Sequence, residues 1–144
     1  MKNIFKRLFC LTAVLALSAC AANGSNIEVN EEILLHHNFV LQSVDGKAYN
    51  LQEAAPTIAF NEGMRVSGAI CNQFMGQGSL NGNTLTVTQM ASTKKLCFEP
   101  ELNQYEYMIS QMLMAGVEVQ YDGKNLTLRQ GGHELVYKLR DLVN

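Results

Sequence analysis

The sequence predicts an α+β fold, a small, open antiparallel β-barrel with one main α-helix packed against it. About eight short segments with strand-like patterns follow one another along the 144 residues. Turn signals such as Asp45-Gly46 and Asn81-Gly82-Asn83 separate neighbouring segments, which favours hairpins and therefore antiparallel pairing. One long segment places apolar residues at helical spacing, and its apolar face needs a sheet to cover it.

The strand segments are indicated by alternation or by the turns around them. In the first, Phe39 and Leu41 recur at period two before the turn at Asp45-Gly46. The Asn81-Gly82 step is the strongest hairpin signal, because both residue types tolerate the positive φ of tight turns. The remaining predicted strands are residues 56–60, 64–67, 77–80, 84–88, 117–121, 126–129 and 134–139.

Two helices are predicted. Asn30 suits the N-cap of a short helix that runs through Leu35. The main helix begins at Pro100, because proline suits a first helical position, and ends before Gly116, a C-cap glycine. Its apolar stripe is Leu102, Tyr105, Ile109, Met112 and Leu113.

The N-terminus has the pattern of a secretory signal. Lys2, Lys6 and Arg7 precede Leu8–Leu17, an uncharged run of 10 residues that is too short to span a bilayer. Leu17-Ser18-Ala19-Cys20 resembles a bacterial lipobox, which implies cleavage before Cys20 and attachment of lipid to that residue. The alternative is an ordinary signal peptidase site in which Cys20 is incidental.

This interpretation divides the chain into a signal peptide (1–19), a lipidated cysteine with a tether (20–29) and one domain (30–144). Ala21 follows Cys20 where an Asp would favour the inner membrane, so by analogy we expect the outer membrane and a head that faces the periplasm. The membrane is then a partner through the lipid, since acyl chains hold a protein without a spanning helix.

The charge of the mature head excludes one class of partner. Removal of the signal lowers Lys+Arg from 11 to 8 against 13 Asp+Glu, which leaves a formal charge of −5. Such a head gains no general attraction for phosphates, so a nucleic-acid binder driven by bulk charge is excluded.

The cysteines predict a disulfide. Cys10 leaves with the signal and Cys20 carries lipid, so Cys71 and Cys97 remain as an even pair in an oxidising compartment. A bond between them closes a ring of about 27 residues, which stabilises the fold by roughly 3–4 kcal/mol in the chain-entropy model. Two buried free thiols are the alternative.

Residues that resemble catalytic or metal sites have no supporting context. His36 and His37 are adjacent, so their side chains point in different directions, and His133 lies far along the chain. Gly76-Gln77-Gly78 lacks the Gly-Lys-Ser/Thr of a phosphate loop and indicates a strand bulge or close packing instead. The chain has no Gly-x-Ser-x-Gly elbow. We therefore expect no metal, no cofactor and no enzymatic activity.

Methionines give the one hint of a hydrophobic ligand. Thioethers fill irregular cores and also line adaptable grooves, and several lie on the main helix. A helix across an open barrel leaves room for a cavity, whose candidate lining is Tyr105, Ile109, Met112 and Leu113. Lys94, Lys95 and Arg65 are read either as a small basic spot or as a solvated loop.

The stretch from Val66 to Gly76, VSGAICNQFMG, resembles the G-x-x-CN-x-F-x-G signature of META/HslJ domains. Later segments, the main helix and the last two strands continue the resemblance, which covers residues 38–141. Phe39 departs from it, because many members carry Trp there. The matching positions are Gly68, Cys71, Asn72, Phe74, Gly76, Thr93 and Cys97.

The resemblance implies a barrel-like fold with a packed helix and an envelope protein linked to heat shock or antibiotic stress, including novobiocin resistance. It implies no established reaction. We interpret the matching residues as structural, with Asn72 and Thr93 satisfying loop backbone groups near the cysteine pair. We expect a module that binds protein partners. The alternative is a carrier or sensor of a lipid or small hydrophobic ligand, and an unrecognised enzyme is the third hypothesis.

Overall fold

The computed structural model describes residues 25–141, which form an antiparallel β-barrel with one long helix. A short helix, α1 (Glu31–Leu34), precedes the barrel, a single 3-10 turn (Glu62–Met64) joins two of its strands, and the long helix is α2 (Pro100–Ala115). The strands are β1 (Asn38–Val44), β2 (Lys47–Ala48), β3 (Thr57–Asn61), β4 (Arg65–Ala69), β5 (Gln73–Asn81), β6 (Thr84–Ser92), β7 (Val117–Tyr121), β8 (Asn125–Gln130) and β9 (His133–Leu139).

The predicted fold class is confirmed, and the barrel is closed by its strands. Neighbours follow the order β1, β3, β4, β5, β6, β7, β8, β9, and β9 returns to pair with β1 from Phe39↔Leu139 to Val44↔Leu135. The two-residue β2 lies outside this ring and pairs only with β1 in the described part of the chain. Closure by β1 and β9 therefore replaces the open barrel that the sequence predicted.

Strand alternation directs one apolar row of each of the eight barrel strands inward. Phe39 is fully buried, and its ring makes edge contacts with Phe60 and Tyr121 at centroid distances of 6.1 and 5.6 Å. Phenylalanine thus fills the position where many family members have Trp. Helix α2 adds Leu102 and Leu113 to the same core. Complete burial of such side chains contributes about 1.5–3 kcal/mol each.

Both helices begin on the predicted signals, and α2 also ends on its own, whereas α1 ends at Leu34, one residue earlier than predicted. The Asn30 side chain accepts a hydrogen bond from the Ile33 amide at 3.0 Å, as an N-cap residue does. Pro100 is the first residue of α2. Gly116 follows its last turn with a φ of 103°, and its N–H donates to the Met112 carbonyl at 3.0 Å. Within the described residues, neither helix is long and apolar enough to cross a bilayer.

The β5–β6 hairpin is longer than predicted because it continues past a bulge. The ladder shifts register between Met75 and Gln77, where Gly76 faces two residues of β6 and Gln89 has a φ of 51°. A Cβ on Gly76 would lie 2.6 Å from Val87 Cγ1, so only glycine fits. Close packing, rather than phosphate binding, therefore explains the Gly-x-Gly sequence.

Two of the three histidines lie beside carboxylates. His37 Nδ1 lies 2.7 Å from Asp141 Oδ2, and His133 Nδ1 lies 2.8 Å from Asp45 Oδ2. Asp45 also accepts the Glu134 amide at 2.8 Å through its other oxygen. This backbone hydrogen bond, followed by the one from His133, lowers the pKa of the Asp45 carboxyl.

We predict that Asp45→Asn makes the stability of the protein less dependent on acid pH. Because the pKa of Asp45 is lowered on folding, its stabilisation is present above the ordinary pKa of 3.8 and is lost as pH falls through the folded-state value. The side chain is 45% exposed, so the expected loss at pH 7 is at most about 1 kcal/mol. Urea unfolding of both proteins at several pH values between 3 and 7 measures the difference, which should shrink with acidification. A constant difference would contradict the prediction.

Candidate functional site

The residues that match the family signature meet at one end of the β5–β6 hairpin. Cys71 and Asn72 form the turn between β4 and β5, while Thr93 and Cys97 lie on the segment that leads from β6 to α2. This segment, residues 93–98, is called the 93–98 loop below. The fold thus brings two stretches of the signature together although more than 20 residues separate them.

Asn72 connects the turn to the 93–98 loop. Its side-chain oxygen accepts hydrogen bonds from Thr93 Oγ1 at 2.9 Å and from the Lys95 amide at 2.8 Å. Its amide group donates to the Lys95 carbonyl at 3.0 Å. The side chain is 6% exposed and is the one buried polar residue of the described part of the chain. It satisfies loop backbone groups that have no strand partner, as the sequence interpretation expected.

Glu106 fixes the same turn to helix α2. One of its carboxylate oxygens accepts the backbone amides of Cys71 at 3.0 Å and Asn72 at 2.9 Å. A carboxylate that accepts two amides is a strong, charge-assisted contact. The turn is therefore held by the 93–98 loop on one side and by the helix on the other.

A disulfide joins Cys71 to Cys97 at a Cα–Cα distance of 5.7 Å. Next to it, Asn103 of α2 accepts the Cys97 amide at 3.2 Å and donates to the Cys97 carbonyl at 3.2 Å. Cys97 is thus tied covalently to the turn and by two hydrogen bonds to the helix. Its side chain is 5% exposed.

The remaining signature positions pack behind this cluster. Phe74 on β5 is buried, and its ring lies against Gly68 of β4. A Cβ on Gly68 would collide with the Thr57 carbonyl on β3 and lie 2.9 Å from the Phe74 ring. Glycine is therefore required at 68 for close approach of neighbouring strands, and the role of these residues is structural.

A surface groove runs beside the cluster, between the end of β6 and helix α2. Its volume is about 530 Å³. The strand side contributes Met90 and Ser92, and the helix side contributes Tyr107 and Met114. The 93–98 loop forms one end with Lys94, Lys95 and Leu96. We call this surface the α2 groove.

Large apolar side chains are exposed around the α2 groove. Leu96 is 88% and Phe98 is 89% exposed, although the Cys97 side chain between them is buried. Tyr107 is 71% exposed on the helix wall. Clusters of exposed apolar side chains mark binding surfaces more often than isolated ones do.

The groove has positive local charge. Lys94 and Lys95 line it, and the only acid in the described lining is Glu106, one oxygen of which binds two backbone amides. Arg65, which the sequence grouped with these lysines, starts β4 opposite Gln77 and does not line the groove. The basic spot of the surface therefore consists of the two lysines.

The four residues expected to line a ligand cavity lie partly in the core and partly at a surface groove. Ile109, Met112 and Leu113 are at most 1% exposed and belong to the hydrophobic core. A surface groove of about 360 Å³ lies between helix α2 and the barrel, and its lining includes Tyr105 and Met112. Tyr105 donates a 2.6 Å hydrogen bond to Glu101. Burial, followed by this hydrogen bond, raises the pKa of Tyr105 to about 12.

Among residues 25–141, a single group of three side chains has the composition of a metal site. It consists of Cys71, Cys97 and Glu106. The two sulfur atoms are bonded to each other, and Glu106 is engaged by backbone amides, so the group serves as a structural cluster. A disulfide sulfur is not the thiolate ligand that zinc requires.

Sequence reasoning did not find two parts of this site. Leu96 and Phe98 gave no sign of exposure, because apolar residues near a cysteine fit a core equally well. Asn103 gave no sign of its contact with Cys97, which depends on how the loop folds back. The only available signal for this exposed surface was that Leu96 and Phe98 flank Cys97 directly after two lysines.

A family model described as META domain matches residues 32–141. This chain belongs to the META domain family. Heat shock protein HslJ of Escherichia coli (strain K12) is 39% identical over 139 residues, which cover 96% of this chain and 99% of that protein. The groove and the 93–98 loop described above therefore lie within the part of the chain that matches the META domain.

Two structures solved by NMR have a similar fold. One is 42% identical with a TM-score of 0.73 and covers 81% of this chain and 99% of its own. The other, from Burkholderia xenovorans, is 22% identical with a TM-score of 0.63, over 78% of this chain and 87% of its own. The second comparison concerns the fold alone.

We predict that Asn72→Ala destabilises the META domain by about 2–3 kcal/mol, because it leaves the Lys95 amide and carbonyl without their partner. The neighbouring Gln73 is exposed, and Gln73→Ala is the matched control with an expected change within about 0.5 kcal/mol. Urea unfolding under oxidising conditions gives both values. Equal stability of the two variants would contradict the role assigned to Asn72.

We also predict that Cys71 and Cys97 are inert to maleimide in the unfolded, non-reduced mature protein and that both react after reduction. The reduced form should unfold with a free energy lower by about 3–4 kcal/mol, as expected for loss of a ring of this length. Mass spectrometry of the peptides measures maleimide labelling of each cysteine before and after reduction. Labelling of both cysteines without reductant would exclude the bond.

Proposed function

We propose that this protein is a heat-shock lipoprotein of the bacterial envelope that binds other envelope proteins. In this proposal a lipid on Cys20 holds it at the periplasmic face of the outer membrane. Family membership and the relative named as a heat shock protein support the stress role. The lipobox-like sequence ending at Cys20 supports the anchor, and it lies outside the described residues. The link to novobiocin resistance would follow from partners bound in the envelope.

The observation that carries the binding role is the exposure of Leu96 and Phe98 on a loop that is firmly held. Each is almost nine-tenths exposed, while Cys97 between them is buried and disulfide-bonded. Exposure of two large apolar side chains costs solvation free energy that burial elsewhere would avoid. A partner that covers them recovers this free energy. The hydrogen bonds of Asn72 to Lys95 hold the loop for such a contact.

The packing of the core supports the alternative function, a carrier of a small hydrophobic ligand, less well than it supports protein binding. Of its four candidate residues, Ile109 and Leu113 are packed in the core, and the groove that Tyr105 and Met112 line lies at the surface. The α2 groove is a surface feature with a polar end at Lys94 and Lys95. Mixed apolar and charged surfaces of this kind are typical of protein interfaces.

The attachment point of the tether is compatible with partner binding. Ile27 pairs with Tyr121 of β7 through a 2.7 Å hydrogen bond, and it borders a shallow surface with Gly82 at the tip of the β5–β6 hairpin. The 93–98 loop lies at the opposite end of that hairpin, a distance of about 30 Å for a nine-residue strand. A lipid on Cys20 would therefore leave the groove open to other proteins.

Site-specific photo-crosslinking in heat-shocked cells tests this function. We predict that benzoylphenylalanine at Tyr107 gives a discrete crosslinked protein band, while the same group at Lys138, an exposed residue of β9, does not. Leu96→Ser with Phe98→Ser should abolish the band and weaken binding of the identified, purified partner by about tenfold or more.

Both substituted side chains are solvent-exposed, so the double variant should keep its stability within about 0.5 kcal/mol. Crosslinks of equal yield from Tyr107 and Lys138 would overturn the proposal. So would a partner that binds the double variant and the unchanged protein with equal affinity.

A further inference from the structure

Strand β6 has an edge that the barrel leaves unpaired. On one side it pairs with β5 along its length, from Asn81↔Thr84 to Phe74↔Ser92. On the other side it pairs with β7 only at Thr84 and Leu85. Within residues 25–141 no strand pairs with the rest of this edge, where helix α2 lies instead.

The free part of this edge opens into the α2 groove. Met90 and Ser92 line the groove, with Thr93 beyond them. The Thr93 amide donates to the Gln73 carbonyl of β5 at 3.0 Å. Because alternate residues of an antiparallel strand direct their backbone groups to opposite sides, Ser92 directs its N–H and C=O away from β5 and toward the groove.

The side chains around this edge suit one kind of occupant. Leu96, Tyr107 and Met114 present apolar surface, with Met114 43% exposed. Lys94 and Lys95 present positive charge, whereas the acid Glu106 is occupied by backbone amides. An extended segment with apolar side chains and nearby carboxylates complements all three features, namely the backbone edge, the apolar walls and the lysines.

We propose that the α2 groove binds an extended, acidic and apolar peptide segment of a partner protein as an added β-strand on β6. This inference rests on the proposed protein-binding function and specifies how the partner binds. Backbone hydrogen bonds to Ser92 give the register, and Lys94 and Lys95 select carboxylates on the segment.

The test measures binding of a fluorescent six-residue peptide that alternates valine or phenylalanine with aspartate. Two control peptides carry lysine in place of aspartate or N-methyl groups on alternate amides. The full chain, with its lipid in detergent, should bind the aspartate peptide saturably and should bind either control at least about tenfold more weakly, because N-methylation blocks strand pairing.

Variants of the protein test the pairing between the peptide and Ser92 without any change to the peptide. Ser92→Pro removes the N–H that faces the groove, whereas Ser92→Ala keeps it. We expect at least about a tenfold loss for Ser92→Pro and less than about a twofold change for Ser92→Ala. Lys94→Glu with Lys95→Glu should also abolish binding, while Lys138→Glu on β9 should not. If Ser92→Pro fails to fold, the N-methylated peptide still decides whether strand pairing occurs.

The outcomes separate this inference from the proposed function. Equal binding of the methylated and unmethylated peptides, or no saturable binding, would overturn strand addition. If the crosslink at Tyr107 persists in that case, protein binding stands without this mode. Binding to phosphatidylglycerol vesicles that Lys94→Glu with Lys95→Glu abolishes, with no peptide binding, would assign the surface to lipid and overturn the inference.

Discussion

The arrangement at the end of the barrel where the 93–98 loop lies depends on the side chain of Asn72. The β5–β6 ladder ends at Ser92, followed by one backbone hydrogen bond from Thr93 to β5, and the chain must then reach α2 through residues whose backbone groups have no strand beside them. A buried backbone group without a partner costs free energy comparable to a lost hydrogen bond. The Asn72 side chain accepts from the Lys95 amide and donates to the Lys95 carbonyl, so it makes the hydrogen bonds that a neighbouring strand would otherwise provide.

Three further contacts hold the 93–98 loop and the turn before β5 in place. The disulfide ties Cys97 to the turn, Asn103 ties it to α2, and Glu106 ties the turn to the helix. In the proposed function, association with a partner would require little ordering of the loop, and such ordering is a large part of the cost of binding for flexible segments. The signature residues would then contribute to the proposed function without touching a partner, because they position Leu96 and Phe98, which lie outside the signature.

Local features of this fold were predictable and long-range ones were not. Asn30, Pro100 and Gly116 mark helix ends through contacts within a few residues, and the strand patterns are equally local. The closure of the barrel depends on pairing such as Val44↔Leu135, across some ninety residues, for which no local pattern exists. Of the candidate site, Asn72 and Thr93 came from a resemblance, whereas the cysteine pair followed from counting the cysteines left in the mature chain.

The prediction of a ligand cavity meets the same physical limit. The helical spacing of Ile109, Met112 and Leu113 predicts a face turned toward the barrel, and that face is correctly identified. Whether the space in front of it is filled depends on side chains from distant strands, such as Leu85 and Leu128, that share the core. Periodicity in one element carries no information about the volume of another.

The barrel protects its strand edges unevenly, and this explains why the groove would be selective. Closure of β1 onto β9 removes two edges, whereas β6 keeps a free edge beyond Leu85. Unprotected edges promote indiscriminate strand pairing, and proteins commonly limit it with bulges, lysines and covering helices. All three devices border this edge: the bulge at Gln89, the lysines at 94 and 95, and helix α2. What they leave accessible is a short stretch around Ser92, enough for a brief segment of suitable charge and too little for a second sheet.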